Sequence, residues 1–417
     1  MLKTKYKIYT LGCKVNQYDS ASLAARLFDL GLEEVRTGAD WVIVNTCAVT
    51  KTAIRKGRQL ITKARKENPG AEIILAGCWP KAYSEAQKDA SADFVFGTNE
   101  SEKIIELLKS KIGAENLQKI QPQSSTIAST DRSRYFVKIQ DGCEQFCAYC
   151  IIPYTRGKLK SRDEAEIISE IEEAVKAGYQ EIILSGIHLG LFGKDKGEVR
   201  LVPLIKKILA IKNFGRLRLS SIEVTEVSDD LIDLIASDDK MCKHLHIPLQ
   251  AGTDKILRAM NRPYDTKYFW GKIQKIRNKI PDIAITNDII VGFPSETAED
   301  FADTCKFIKQ VNFSKLHIFS FSAHEKTPAA KMPEQVDPRE VKRRSDELHR
   351  IDEELQADYF KKFKNQELWV VLDGRSGEVM RGKSEYFFDV EFKPSQLLTP
   401  INKAKKLAGQ IVKIKLK

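Results

Sequence analysis

Short apolar runs alternate with longer amphipathic stretches along most of the chain. Before residue 117, four apolar runs predict strands, at 8–11, 41–45, 73–76 and 94–96. The stretches 20–30 and 50–67 have the spacing of amphipathic helices, ended by Gly31 and by Asn68-Pro69-Gly70. Short apolar strands separated by helices predict a parallel sheet that is covered on both faces.

The same alternation returns after residue 135. Six further strands are predicted, at 135–139, 181–184, 216–221, 243–247, 283–290 and 315–319. Helices fill the gaps between them, among them 163–177 and 265–280. Six strand–helix units predict a partial TIM-like barrel, whose function lies on the loops after the strands.

The end of the chain has a different pattern. A long charged helix is predicted from 338 to about 364, followed by short strands at 368–372, 379–381, 386–392 and 410–416. Turn residues separate these strands, which is typical of a small β-barrel. The predicted fold class is therefore α/β with three domains, at 1–117, 130–360 and 361–417. A polar linker at 118–132 separates the first two.

The net charge of +11 predicts a polyanionic partner. Residues 361–417 hold 13 lysines and arginines against 6 acids, a net charge of +7. Tyr386, Phe387, Phe388 and Phe392 among these strands suit either an RNA-stacking surface or a core. The stretch 50–66 has seven basic residues and no acid before Glu67, which indicates either phosphate contacts or an ordinary exposed face.

No apolar run approaches the ~20 residues that span a bilayer. Residues 1–6 lead into a strand without the apolar core of a signal peptide, so we expect a cytoplasmic protein and no membrane partner. Thiols stay reduced in that compartment, which makes metal ligation the first interpretation of the eight cysteines.

Cys143, Cys147 and Cys150 form a C-x3-C-x2-C sequence directly after the strand at 135–139. Three thiolates leave one coordination position open, as in an iron–sulfur cube that exposes one iron to a small molecule. Structural zinc is the competing interpretation, but it requires four protein ligands. Burial of the cysteines as apolar core residues is the third possibility.

Cys13, Cys47 and Cys78 follow the first three predicted strands by one to three residues. The carboxyl ends of parallel strands share one edge of a sheet, so these cysteines are expected to converge there. They form a second set of three thiolates, again with one ligand missing. Core cysteines would instead lie inside the strands.

The central cysteine loop resembles the signature of the radical S-adenosylmethionine (SAM) superfamily. Three further motifs resemble the N-terminal domain of methylthiotransferases, namely Leu11-Gly12-Cys13-Lys14-Val15-Asn16-Gln17-Tyr18, Asn45-Thr46-Cys47-Ala48-Val49-Thr50 and Ala76-Gly77-Cys78. The segment from Cys150 to Gly157 strengthens the match. The resemblance covers the whole chain and implies a cysteine domain, a radical-SAM domain and a C-terminal RNA-binding (TRAM) domain.

The resemblance implies two [4Fe–4S] clusters, an auxiliary one on Cys13, Cys47 and Cys78 and the radical-SAM one on Cys143, Cys147 and Cys150. SAM would bind the open iron of the second cluster and be cleaved there to a 5′-deoxyadenosyl radical. No catalytic side chain is expected beyond the cluster ligands. Three residues that follow strands are candidate SAM contacts: Gly186, Glu223 and Gln250.

The Gly-Cys-Lys-Val-Asn-Gln-Tyr form resembles the branch that acts on N6-threonylcarbamoyladenosine at position 37 of tRNA, using two SAM molecules. The alternatives are methylthiolation of isopentenyladenosine in tRNA or of a ribosomal protein. The expected partners are tRNA, SAM, an unidentified electron donor and a sulfur source. A rival of another class is a non-catalytic RNA-binding zinc protein.

Overall fold

A computed structural model of the chain describes residues 4–86, 91–113, 133–402 and 406–417. The described chain divides into two compact units. The first unit comprises residues 1–130, 141–145 and 150–159, and the second comprises 131–140, 146–149 and 160–417. The predicted linker at 118–132 lies outside the described residues.

The first unit contains a five-stranded parallel sheet in the order β2-β1-β3-β4-β5. Its strands are β1 (Lys5–Thr10), β2 (Glu33–Glu34), β3 (Trp41–Thr46), β4 (Glu72–Gly77) and β5 (Phe94–Val95). Its helices include α1 (Lys14–Asp29), α2 (Lys51–Glu67), α3 (Cys78–Ala82), α4 (Ser101–Ile112) and α5 (Ile152–Arg156). Successive residues of β3, Val42 and Ile43, pack into separate apolar clusters because strand side chains alternate between faces. The predicted parallel sheet with two covered faces is confirmed.

Helix α1 begins at Lys14, six residues before the predicted start at 20. Its first turns carry Asn16 and Ser20, which are polar yet buried. An apolar pattern cannot reveal a helix whose inward-facing residues are polar. The first cysteine motif therefore consists of three loop residues, Leu11, Gly12 and Cys13, followed by the first turns of the helix.

In the second unit, β8 pairs in parallel with β6 and β9, and β11 pairs in parallel with β10 and β12. Parallel bridges, Leu217 with Met241 and Ser221 with His246, connect these two ladders. The strands are β6 (Tyr135–Asp141), β7 (Lys160–Ser161), β8 (Glu181–Gly186), β9 (Arg216–Leu219), β10 (His244–His246), β11 (Ala284–Val291) and β12 (Lys315–Ser320). The connecting helices include α6 (Glu164–Lys176), α7 (Leu201–Leu209), α8 (Asp229–Ser237), α9 (Asp254–Ala259), α10 (Thr266–Lys279) and α11 (Ala298–Val311). The predicted α/β class with parallel strands is confirmed here too. No helix within the described residues has both the length and the apolar character needed to cross a bilayer.

Helix α12 (Pro338–Lys361) leads into a four-stranded antiparallel sheet in the order β15-β14-β13-β16. Its strands are β13 (Glu367–Ser376), β14 (Val379–Ser384), β15 (Asp389–Phe392) and β16 (Ile411–Lys415). The strand predicted at 386–392 begins only at Asp389. Phe387 has a left-handed φ of 73°, and its ring stacks on His244 with centroids 4.2 Å apart. Tyr386 and Phe388 pack against the core, so these three aromatic side chains serve packing and not an open stacking surface.

A buried ion cluster joins the antiparallel sheet to the barrel strands of the same unit. Glu181 on β8 pairs with Arg216 at 2.5 Å and with Arg218 at 3.0 Å. The same guanidinium groups donate to main-chain carbonyls of the antiparallel sheet, those of Trp369 and Lys383 at 2.9 Å and of Ser384 at 2.8 Å. The two parts of the second unit therefore share one set of buried polar contacts.

Candidate functional site

Three cysteines of the first unit lie at the carboxyl ends of the adjacent strands β1, β3 and β4. Cys13 is the N-cap of α1, Cys47 directly follows β3, and Cys78 is the first residue of α3. Cys13 is exposed, whereas Cys47 and Cys78 are buried. Each strand thus delivers one thiol to the same edge of the sheet.

Asn16 on α1 holds two of these cysteine loops by hydrogen bonds. Its Nδ2 donates to the carbonyl of Leu11 at 2.9 Å and to that of Thr46 at 3.0 Å. Its Oδ1 lies 4.0 Å from the Sγ of Cys78. One fully buried amide therefore contacts the chain beside all three cysteines.

Glycines allow the backbone to come close to these cysteines. A Cβ on Gly12, whose φ is +107°, would lie 2.7 Å from the Cβ of Cys47 and 3.1 Å from its Sγ. A Cβ on Gly77, at φ +99°, would lie 2.4 Å from the Oδ1 of Asn45. Any larger residue would push into the space beside the thiols.

The electrostatics of these thiols reflects their burial and their proximity. Burial raises the pKa of Cys47, and the charge of Cys13 adds to that rise. Burial raises the pKa of Cys78 to about 12, with smaller contributions from Cys47 and Cys13. Three mutually repelling thiolates in one place need positive charge to become ligands, and an iron–sulfur core supplies it.

Within the described ranges, no three histidine, cysteine, aspartate or glutamate side chains are grouped as ligands of a metal ion. The donor set at the sheet edge is all sulfur, which suits a soft iron–sulfur centre. The absence of a side chain at Gly12 lets a cluster at Cys47 lie close to the backbone. These residues are therefore compatible with a cluster, and ligation itself remains a proposal.

Cys143 and Cys150 also belong to the first unit. The backbone N–H of Cys143 donates to the carbonyl of Gly157 at 3.0 Å. Gly142 has a φ of +73°, and a Cβ there would lie 1.9 Å from the carbonyl oxygen of Lys158. Only glycine fits at this position, so the start of the central loop is fixed against the segment that follows it.

Arg156 ends the short helix α5 and is buried in the first unit. Its Nη1 donates to both carboxylate oxygens of Asp141, at 2.9 and 2.8 Å. Its Nη2 donates to the Oδ1 of Asn16 at 2.5 Å and to Asp19 at 3.2 Å. The sequence analysis gave no separate role to Asn16, which stands in the first cysteine motif, or to Arg156, which stands in the segment from Cys150 to Gly157. Their places in these motifs were the available signal.

In the second unit, Cys147 is buried and accepts a hydrogen bond from Arg262, with 3.1 Å between Nη1 and Sγ. The Nη2 of Arg262 pairs with Glu223, and its Nε donates to the hydroxyl of Tyr264 at 3.0 Å. The predicted site residue Glu223 is thus connected to Cys147 through one arginine. Arg262 was missed because it stands after the short helix α9 without any local pattern.

Gln250 follows β10, as predicted, whereas Gly186 is still the last residue of β8. Gly186 ends β8, and a Cβ there would lie 3.1 Å from the Oε1 of Gln140. The backbone N–H of Gln250 donates to the carbonyl of Asp288 at 2.9 Å, and Ile290 donates back to Gln250 at 2.9 Å. Gln250 has a left-handed φ of 73°, a conformation that a residue other than glycine adopts at some cost. Contact of these residues with SAM stays a prediction.

Two family models match the chain. Residues 5–97 match "Uncharacterized protein family UPF0004", and residues 137–308 match "Radical SAM superfamily". All three first-unit cysteines fall in the first match, and Cys143, Cys147 and Cys150 fall in the second.

Curated relatives match over nearly the full length. "Threonylcarbamoyladenosine tRNA methylthiotransferase MtaB" of Bacillus subtilis is 34% identical, over 98% of this chain and 92% of its own. The protein with the same description from Thermotoga maritima is 36% identical, over 93% and 91%. A "tRNA-2-methylthio-N(6)-dimethylallyladenosine synthase" of Carboxydothermus hydrogenoformans is 35% identical, over 100% and 97%.

Solved structures share the fold at low identity. The radical SAM methyltransferase TsrM from Kitasatospora setae, solved with cobalamin and a [4Fe–4S] cluster, has a TM-score of 0.59 and 12% identity, over 79% of this chain and 77% of its own. The cobalamin-dependent radical enzyme OxsB has a TM-score of 0.52 and 10% identity, over 79% and 54%. With near full-length relatives above 30% identity and both domain matches, the chain belongs to the radical-SAM methylthiotransferase family, a family of enzymes that transfer sulfur-containing groups.

Proposed function

We propose that this enzyme methylthiolates C2 of N6-threonylcarbamoyladenosine at position 37 of tRNA. The main support is the position of Cys13, Cys47 and Cys78, which follow three adjacent strands and lie around Asn16. The same chain also has the C-x3-C-x2-C loop. Two relatives that bear this substrate in their names support the choice. A tRNA substrate implies a cytoplasmic reaction.

We assign one [4Fe–4S] cluster to Cys13, Cys47 and Cys78 and another to Cys143, Cys147 and Cys150. When bound, the second cluster supplies the electron that splits SAM into methionine and a 5′-deoxyadenosyl radical, which opens a route to an unreactive aromatic C–H. A second SAM supplies the methyl group. Glu223, which pairs with the arginine that contacts Cys147, is our candidate to meet the amine or ribose of SAM in the second unit.

There are two alternative substrates. The dimethylallyladenosine names among the relatives support isopentenyladenosine in tRNA as the first alternative, and a ribosomal protein is the second. The motif from Gly12 to Tyr18 favours threonylcarbamoyladenosine. Its residues Lys14 to Tyr18 form the first turns of α1, beside the cysteines, so a difference there changes the surroundings of the site.

The RNA partner also has a candidate contact in the C-terminal sheet. Trp369 on β13 is 43% exposed, and the Nζ of Lys413 lies 5.8 Å above its ring. An exposed indole beside a lysine suits a stacked base and its phosphate. The electron donor and the sulfur source are further partners, and we assign neither to a surface.

The test compares two purified tRNAs as substrates in separate reactions. Anaerobically reconstituted enzyme receives SAM, dithionite and sulfide with tRNA that carries either threonylcarbamoyladenosine or isopentenyladenosine. Nucleoside mass spectrometry should find the methylthio group only on the first. Product on isopentenyladenosine alone would contradict the proposed substrate, and a Cys147→Ala enzyme is the negative control.

A further inference from the structure

The Nε–H of the Arg156 guanidinium donates to no acceptor within the described residues. The side chain is 1% exposed, and both terminal nitrogens are engaged by Asp141, Asn16 and Asp19. Its Nε is buried, and it has no acceptor within the described ranges. A buried donor without an acceptor costs free energy, so such a group is usually explained by a missing partner.

A cysteine sulfur lies close to the contacts of Arg156. The Asn16 Oδ1 that accepts from Arg156 lies 4.0 Å from the Sγ of Cys78. The guanidinium is therefore close to the thiols of the sheet edge.

The second unit uses the same kind of contact. There the Nη1 of Arg262 donates to the Sγ of Cys147 at 3.1 Å. An arginine N–H directed at a cysteine sulfur is thus already present at one cysteine motif of this chain. Hydrogen bonds to the sulfurs are one of the means by which proteins set cluster potentials.

Charge gives the expected direction of the effect. Three thiolates outweigh the positive charge of an oxidised cube, and one-electron reduction adds more negative charge. A fixed cation nearby stabilises the reduced form, whereas a fixed carboxylate destabilises it. Arg156 and Asp19, which contact each other, therefore act in opposite senses.

We propose that Arg156 is a positioning residue of the Cys13/Cys47/Cys78 site, whose Nε–H donates to a sulfur on the Cys78 side of the cluster and whose charge raises the reduction potential of that cluster. This inference rests on the proposed assignment of a cluster to these cysteines. It adds a residue that holds and tunes the cluster without being one of its ligands.

The test is a redox titration of the full chain in which Cys143, Cys147 and Cys150 are alanine, so that one cluster remains. Dithionite supplies one electron per cluster, and electron paramagnetic resonance follows the reduced form. Arg156→Gln should shift the potential downward and Asp19→Asn upward, while Arg156→Lys, which keeps the charge, should lie closer to the parent. Arg55→Gln on the exposed face of α2 is the matched control and should cause no shift.

An unchanged potential in an iron-replete Arg156→Gln protein would overturn the proposal, as would shifts of the same sign in Arg156→Gln and Asp19→Asn. If the Arg156→Gln protein loses its iron, the reduction potentials of Arg156→Lys and Asp19→Asn test the proposal instead. Iron loss from Arg156→Lys as well would make the arginine purely structural and overturn the inference. Iron missing from the parent would instead overturn the cluster assignment itself.

Discussion

At the scale of single residues, the two cysteine sets are expected to have different tasks. Cys47 lies beside Gly12, whereas Cys147 accepts a hydrogen bond from Arg262, so the two thiols have different surroundings. Glu223, the candidate SAM contact, is connected to Cys147 and belongs to the same unit. Loss of a thiol from one set should therefore leave the chemistry of the other set in place.

Cys47→Ala enzyme should still form 5′-deoxyadenosine from SAM and dithionite, yet make no methylthiolated nucleoside. Cys147→Ala enzyme should make neither product, because its substitution removes a ligand of the cluster that cleaves SAM. Liquid chromatography with mass spectrometry measures both products in one reaction. Cys305→Ala, a buried cysteine outside both motifs, is the control and should make both. Near wild-type methylthiolation by Cys47→Ala would refute the division of tasks.

At the scale of elements, α2 presents basic side chains to solvent along its length, and its only acid is its last residue, Glu67. It starts just after Cys47, and Thr50 caps it by accepting from the N–H of Ala53 at 3.1 Å. The basic residues of this helix are all exposed: Lys51, Arg55, Lys56, Arg58, Lys63, Arg65 and Lys66. Two of them, Lys63 and Arg65, pair with acids. The position of the helix next to a cysteine loop favours a contact with tRNA phosphates.

Reversing two charges on α2, Arg55→Glu with Lys56→Glu, should weaken tRNA binding and reduce its salt dependence. Each phosphate contact that is lost should lower the slope of log K against log salt by roughly 0.7–0.9. Filter binding at several salt concentrations measures both effects. Lys109→Glu with Lys111→Glu on α4 changes the net charge equally and is the control. Equal losses in the two double variants would show a general charge effect and not a docking face.

Sequence reasoning predicted the elements well where packing follows an apolar period, as in β3, β4 and the parallel strands of the second unit. It also placed Cys13, Cys47 and Cys78 after strands, because loop positions in a parallel sheet follow from strand order. It missed the start of α1 and the roles of Arg156 and Arg262. These depend on buried polar contacts between residues far apart in sequence, which no local pattern encodes.

At the scale of the whole molecule, the antiparallel sheet and the barrel strands of the second unit depend on one ion cluster. Burial raises the pKa of Glu181, but the charges of Arg216 and Arg218 outweigh it and bring the pKa to about 2. Deletion of residues 365–417 would strip both arginines of their carbonyl acceptors. Such a truncation should therefore destabilise the barrel as well as remove any RNA contact, so point substitutions are the better probe of RNA binding.

Glu181→Gln should lower the free energy of unfolding by about 3–5 kcal/mol at pH 7, because it leaves two buried guanidinium charges without a carboxylate. Urea unfolding followed by circular dichroism measures this loss. Glu102→Gln, in an exposed pair with Arg26, should cost below about 1 kcal/mol. The folded-state pKa of Glu181 is lowered, so its contribution is complete above the ordinary value of 4.5 and is lost as the pH falls through about 2. A Glu181→Gln protein as stable as wild type at pH 7 would contradict this role.

The central claim, methylthiolation of threonylcarbamoyladenosine in tRNA, is tested most directly by nucleoside mass spectrometry of tRNA from cells with and without this protein. The account predicts that the 2-methylthio form of threonylcarbamoyladenosine is absent without the protein, while its unmodified precursor accumulates. Wild-type protein should restore it, and Cys47→Ala and Cys147→Ala should not. Unchanged 2-methylthio-threonylcarbamoyladenosine in cells that lack the protein, with loss of the 2-methylthio form of isopentenyladenosine instead, would contradict the account.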